Sequence, residues 1–192
     1  NVQTHLGFDP EEPARVALAE DRTPTPDDLP LTAYARYPDA GIGDLPDFFD
    51  GVGAYAVSGE IAEILLSFDL GTMLVLPLRV LEHDRKTEVY GDRNYHLLFR
   101  YNVFRALAPK ESPNLKPGRF SDPPSHWAMP WEPKDGDVAV HETALDGPAI
   151  WNDPQLMQVH FYNGEVVKAL EAAGVAHLWR FKKCRVVAAK GR

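Results

Sequence analysis

The stretch "AVSGEIAEILLSFDLG", residues 56 to 71, decides the reading of the fold: it holds the start signal, the apolar face and the stop signal of one short helix. Ser58 is a good helix N-cap, a residue type whose side-chain oxygen accepts from an otherwise unpaired first-turn amide. Glu60 follows where the partial positive charge of a helix N-terminus favours a carboxylate. Ile61, Ile64, Leu65 and Phe68 fall at i, i+3, i+4 and i+7, which gives one buried face. Gly71 suits the left-handed residue that ends a helix, and "TMLVLPLRVL" (72 to 81) reads as the strand that follows. A similar cassette, "FYNGEVVKALEAAG", returns at residues 161 to 174. There Asn163, Glu165, Val166, Ala169, Leu170 and Ala173 repeat the pattern at a constant offset of 105 residues, Gly174 closes it, and "AHLWRFKKCRVV" (176 to 187) follows. Each cassette is predicted to run strand, helix, strand. The cap reading predicts that Ser58→Ala and Asn163→Ala each cost about 1 kcal/mol of stability.

Two copies do not make a solenoid, which needs three or more units to bury a continuous core. The echo is compatible with relatedness and equally with the general likeness of capped amphipathic helices beside strands. At 192 residues and 44% hydrophobic content the chain can bury a real core. The expected fold is α+β: a single domain with a mixed or antiparallel sheet, two similar capped helices and an extended acidic N-terminal segment. The expected layout is an acidic extended segment over residues 1–44 packed on a domain of residues 45–192, with a Pro-rich insertion at 109–133. No apolar run approaches the length of a membrane span, and the start "NVQTHLGFDPEEPARV" lacks the basic then apolar pattern of a secretion signal. A soluble, cytoplasmic protein without membrane contact is therefore expected. The single cysteine, Cys184, excludes an internal disulfide framework and a cysteine-rich metal site, and reads as a small buried apolar residue rather than a reactive thiol.

The formal net charge of −8 is uneven. Residues 1–70 hold fourteen Asp or Glu against three Arg, near −11, while residues 71–192 hold fourteen acids against seventeen Lys or Arg, near +3. An acidic front disfavours phosphate contacts and steers a basic partner, so no nucleic-acid partner is expected. "EEPARVALAE" reads as one short helix in an otherwise extended start, and "EVYGDRNYHLLFRYNVFRALAP" as a turn at Gly91 and Asp92 between β-prone runs. Asp39, Asp44, Asp47 and Asp50 lie among glycines and the pair Phe48 and Phe49, at a spacing that does not match the carboxylate ladder of a calcium loop. The histidines form no HExxH arrangement, and no phosphate-binding glycine loop or GxSxG elbow is present. Ser58 has the setting of a nucleophile at a strand-to-helix turn, but Asn163 in the equivalent place lacks that chemistry and the cap role suffices. No catalytic residue, metal or cofactor is assigned. Trp127 and Trp131, in the loop-like "SHWAMPWEP", read either as interface anchors or as pins holding the insertion on the core, whereas Trp151 and Trp179 read as core.

The order "AYAVSGEIAEILLSF", "LVLPLRVLEHD", "YHLLFRYNVFRALAPKES" and "AIWNDPQLMQVHFYNGEVVKALEAAGVAHLWRF" resembles a bacterial family of immunity proteins from polymorphic toxin systems, formerly catalogued as a domain of unknown function. The resemblance spans about residues 45–187, and none of its motifs is catalytic. It implies a protein that is not an enzyme and that binds and neutralises a cognate toxin by stoichiometric contact. Charge then places the contact at Asp39, Asp44, Asp47 and Asp50, with Trp127 and Trp131 as anchors and a basic toxin surface as partner. The alternative is a small-molecule-binding domain or an enzyme whose pocket draws on His96, Tyr101, His141 or His160.

Overall fold

The structure, a computed structural model, describes residues 6–9, 25, 28, 31–40, 42–43, 45–51, 54–90, 95–99, 102–118, 126–156 and 159–188. The protein is of the α+β class, with mixed sheet and, among the described residues, two α-helices. Its contacts divide it into two compact units interleaved along the chain, one drawn from residues 1–67 and 74–100, the other from residues 68–73 and 101–192.

In the first unit, β1 (Leu6–Asp9), β2 (Thr32–Ala35), β3 (Phe48–Gly51), β4 (Ala54–Ser58), β5 (Leu74–Leu81) and β6 (Tyr95–Phe99) form a sheet in the order β1-β2-β5-β6-β4-β3. The β2–β5 pair is parallel and the other neighbours are antiparallel. Helix α1 (Gly59–Leu66) leaves β4 without a loop and lies against β4 and β6. Alternation sends successive side chains of a strand to opposite faces, and both faces of this sheet are covered. Ala56, Leu78, Val80 and Tyr95 join Phe49, Ile42 and Leu45 in one cluster. Val57 and Leu98, one residue out of phase, are buried, as are Ile61, Ala62 and Leu65 of α1. The polar tips in the first cluster are paired: the Tyr95 hydroxyl donates to the Leu45 carbonyl at 2.8 Å, and the Leu45 amide donates to the Tyr90 hydroxyl at 2.8 Å. Pro77 interrupts β5 at little cost, because β2 pairs only with Arg79–Leu81 and asks no hydrogen bond of residue 77.

The second unit contains β7 (Asn102–Val103), β8 (Lys116–Pro117), β9 (Trp127–Ala128), β10 (Ala139–His141), β11 (Ile150–Asn152), β12 (Phe161–Tyr162), α2 (Gly164–Ala172) and β13 (Arg185–Val187). These strands are short and pair as β12-β11-β7, β10-β13 and β8-β9. Its core is built on Trp151, stacked on Phe161 with centroids 4.1 Å apart and met edge-on by Phe104 at 5.5 Å. Ala106, Leu107, Leu115, Val138, Val140 and Leu156 complete the buried part of that cluster. The cassette that appears twice in the sequence thus supplies one strand-to-helix step to each unit: β4 to α1 in the first, β12 to α2 in the second.

The two steps share backbone geometry but not capping chemistry. Ser58 and Asn163 have nearly the same extended conformation, φ −64° and ψ 161° against φ −68° and ψ 160°. The Asn163 side chain accepts from the Val166 amide at 2.9 Å, whereas Ser58 makes no such bond. Its hydroxyl is buried, on a residue only 5% exposed, and meets no hydrogen-bonding partner among the described residues. The expectation of two working caps is therefore corrected: Ser58 continues the strand and turns its hydroxyl into the packed sheet, opposite Tyr95 in register. Asn163→Ala is expected to cost about 1 kcal/mol. Ser58→Ala, which removes an unpaired buried polar atom, is expected to leave stability unchanged or slightly raised. Paired denaturant melts decide this, and an equal loss in both variants would restore the symmetric reading.

The stop signals also separate. Gly174 has φ +76° and sits just past α2, with its amide donating to the Glu171 carbonyl and the Val175 amide to the Leu170 carbonyl, the two bonds of a Schellman end. Helix α1 instead ends at Ser67, and Gly71, φ +59°, lies in a later turn where a Cβ would come within 2.5 Å of the Asn102 side-chain oxygen. The strand predicted over "AHLWRFKKCRVV" is a second correction. Ala176–Leu178 form a 3-10 turn, and only Arg185–Val187 are extended in a ladder, where β10 offers a parallel edge. The segment 109–133 contributes a 3-10 turn at Pro109–Glu111 and the small β8–β9 pair. The "EEPARVALAE" helix and the Gly91–Asp92 turn lie outside the described residues. Among the described residues, no helix is long and apolar enough to cross a membrane.

Candidate functional site

The C-terminal end of α2 builds the most distinctive surface of the second unit. After the Schellman end, the chain turns through Ala176–Leu178 and reaches Trp179, whose indole N–H donates to the Tyr162 hydroxyl at 3.0 Å. The Trp179 and Phe181 rings are parallel within 4°, with centroids 5.8 Å apart. Tyr162 meets both edge-on, at 6.2 Å and 5.0 Å. Between those rings Arg180 adopts φ +53°, a left-handed conformation disfavoured for a residue with a Cβ. Downstream, the Lys183 amide donates to the Asp135 carboxylate at 2.8 Å and β13 begins. A groove of about 720 Å³ opens here, lined chiefly by Trp131, Glu132, Glu171, His177, Arg180 and Phe181.

Trp127 and Trp131, paired as anchors in the sequence reading, have different fates. Trp127 is half-buried: its amide donates to the Gln155 carbonyl at 2.7 Å and its ring packs on the Trp151 cluster. It pins its segment to the core. Trp131 is 93% exposed and stands at the groove. Of the four aspartates, Asp39 lies in an exposed turn after β2, and Asp47 is half-buried with its carbonyl accepting the Ser58 amide at 2.9 Å. Asp44 lies outside the described residues, as does the side chain of Asp50 in β3. Asp39 and Asp47 belong to the first unit, Trp127 and Trp131 to the second.

The residues of the alternative pocket are divided in the same way. His96 lies in β6 of the first unit, His141 and His160 lie in the second, and Tyr101 is outside the described residues. His160 pairs its Nδ1 with the Asn152 side-chain oxygen, and burial pushes its pKa down to about 4. Because the folded value lies below the ordinary one near 6.5, the unfolded chain takes up the proton first as pH falls. The contribution is thus complete above about pH 6.5 and is lost between there and about pH 4. Over that window the second unit is expected to lose about 2 kcal/mol more than a His160→Gln variant does. Urea melts at pH 7 and pH 4.5 measure the difference, and parallel losses in both proteins would remove His160 as the cause. Cys184 packs against the Trp151 cluster, and burial raises its thiol to about 11, as suits a structural side chain.

Sequence reasoning missed Arg180, His177 and Glu171. Nothing in "HLWRF" marks a left-handed residue, and alternation of aromatic and basic residues there imitates a strand. Among the described residues, no group of three or more His, Cys, Asp or Glu is placed to hold a metal ion. No family model matches the chain, and no curated protein matches it.

Proposed function

We propose that this protein is an immunity protein that binds a cognate bacterial toxin with fixed stoichiometry and neutralises it without turnover. The observation that carries the reading is Trp131, an indole left almost wholly in water beside a groove rather than packed on the core. Trp is the residue type most enriched among side chains that dominate protein interfaces, and a large apolar ring exposed in this way is one that a partner can bury. The charge division supports the same reading, since the fourteen acids of residues 1–70 favour encounter with a basic protein surface. The family resemblance over residues 45–187 supplies the class of partner. The proposed setting is the cytoplasm, with no nucleic acid as ligand.

The test is a titration of the protein that this chain captures from its source cell, assayed for toxic activity. Its activity is expected to fall in proportion to added protein and to reach zero at a fixed ratio, without further loss on standing. Inactivation by a small fraction of an equivalent, continuing with time, would make the protein an enzyme. An unaffected toxin would sink the reading.

A further inference from the structure

We infer that the groove around Arg180 and Trp131 is a docking site for a toxin segment that carries a carboxylate beside an apolar side chain. This rests on the proposed function and adds to it the chemistry of one contact. Arg180 is held in a conformation that glycine would adopt freely, and it is held there by its neighbours. The Tyr162 hydroxyl fixes Trp179, and Tyr162 packs edge-on against Phe181, so both flanking residues are tied to one side and the kink lies between them. Yet the exposed Arg180 makes no hydrogen bond or ion pair with any described residue that would reward the conformation. Strained backbone without an internal partner is found where geometry serves a ligand.

The unpartnered guanidinium, and not the net charge of the lining, specifies the ligand. Lys182, also at the groove, has no partner among the described residues, and His177 lies beside it. Two carboxylates, Glu132 and Glu171, stand at the groove against Arg180 and Lys182, so the lining as a whole is close to neutral. Neither carboxylate bonds Arg180, so its guanidinium is open to a single anionic group. A guanidinium is a planar fork suited to a carboxylate, and a pre-set fork loses less freedom on binding. Trp131 and Phe181 supply the apolar surface next to it. A nucleic-acid strand fits less well, because Glu132 and Glu171 would repel successive phosphates.

The experiment measures binding kinetics of the toxin identified by capture from the source cell to wild type, Trp131→Ala, Arg180→Ala, Arg180→Lys and Arg180→Gly, with melting temperatures in parallel. Arg180→Gly is the discriminating variant. It is expected to raise the melting temperature, since the strain is relieved, and yet to speed dissociation by about tenfold or more. Arg180→Lys is expected to resemble Arg180→Ala rather than wild type, because an ammonium cannot make the forked contact. Trp131→Ala is expected to speed dissociation by a similar factor at unchanged stability. A lowered melting temperature in Arg180→Gly would make Arg180 a structural residue and overturn the inference. Wild-type dissociation in both Trp131→Ala and Arg180→Gly would overturn it while leaving the proposed function intact. Failure of wild type to bind the toxin would overturn both. A wild-type dimer in sedimentation that Trp131→Ala abolishes would assign the groove to a second copy of the chain, which also overturns it.

Discussion

Asp153→Ala is expected to destabilise the second unit by about 3–5 kcal/mol, more than any other substitution of a polar residue described above. Asp153 follows β11 and is only 1% exposed. One carboxylate oxygen accepts from the Ala106 and Leu107 amides at 2.8 Å and 2.7 Å, and the other accepts from the Gln155 amide at 2.8 Å. These bonds join the chain after β7 to the turn after β11, and they hold the two segments that deliver Leu107 and Leu156 to the Trp151 cluster. A carboxylate acceptor makes each bond stronger than a neutral one, and removing it strands amides on Ala106 and Leu107, both buried residues. Asp153→Asn separates charge from geometry. One amide oxygen can serve one side of the site while the NH₂ group faces donors, so a loss of about 2 kcal/mol is expected. All four tryptophans lie in this unit, so denaturant melts followed by tryptophan fluorescence report on it directly. A loss below about 1 kcal/mol for the Ala variant would show that the site relaxes and re-pairs its amides. Hydrogen exchange at Ala106 and Leu107 offers a second readout, with protection expected to fall there first.

The sequence was most legible where periodicity reports burial. Ile61 and Leu65, and Val166 and Leu170, occupy apolar positions read from spacing and are buried; the spacing did not mark Ala62, which α1 buries as well. The strand after α1 was legible for the same reason, since Leu74–Leu81 has a neighbour on each side for part of its length. Rotamers and partners were not legible. Serine and asparagine are both good cap residues, and only the packing around β4 sends the Ser58 hydroxyl away from the helix. Likewise "LWRF" satisfies strand propensity, but a strand needs an edge to pair with, and Tyr162 competes by binding the aromatic rings on either side of Arg180. The groove was half legible, because Trp131 stands in a loop-like stretch where an indole is least assured of burial. Its other wall was hidden because left-handed backbone at a non-glycine residue has no signature in composition or spacing.

The same contrast between propensity and pairing gives the second large effect, at Asn102. Read in sequence, "RYNVFR" places an asparagine in a β-prone run, where it is a poor strand former. In the structure Asn102 is 6% exposed and every polar position of its side chain is used. Its NH₂ group donates to the Leu70 carbonyl at 2.8 Å and the Ile150 carbonyl at 2.7 Å, while its oxygen accepts from the Thr72 amide at 2.8 Å and the Thr72 hydroxyl at 3.0 Å. One side chain thus fastens residues 68–73, a separate stretch of chain, to β7 and β11 of the unit to which they belong. Close approach of the two segments is what forces Gly71 into its turn, for a methyl group there would collide with the same amide. Asn102→Ala is expected to cost about 2–3 kcal/mol, because it strands the buried Ile150 carbonyl and unfastens Thr72, while the Leu70 carbonyl keeps only the Met73 amide. Asn102→Asp keeps the acceptor but places a carboxylate against two carbonyl oxygens, so it is expected to be at least as damaging at pH 7. Raising the proton concentration should then help the Asp variant alone, since a protonated acid can donate to one of those carbonyls. Melts of the two variants at pH 7 and pH 5 test this, and an Asp variant with no gain at the lower pH would mean that residues 68–73 are held chiefly by something other than Asn102.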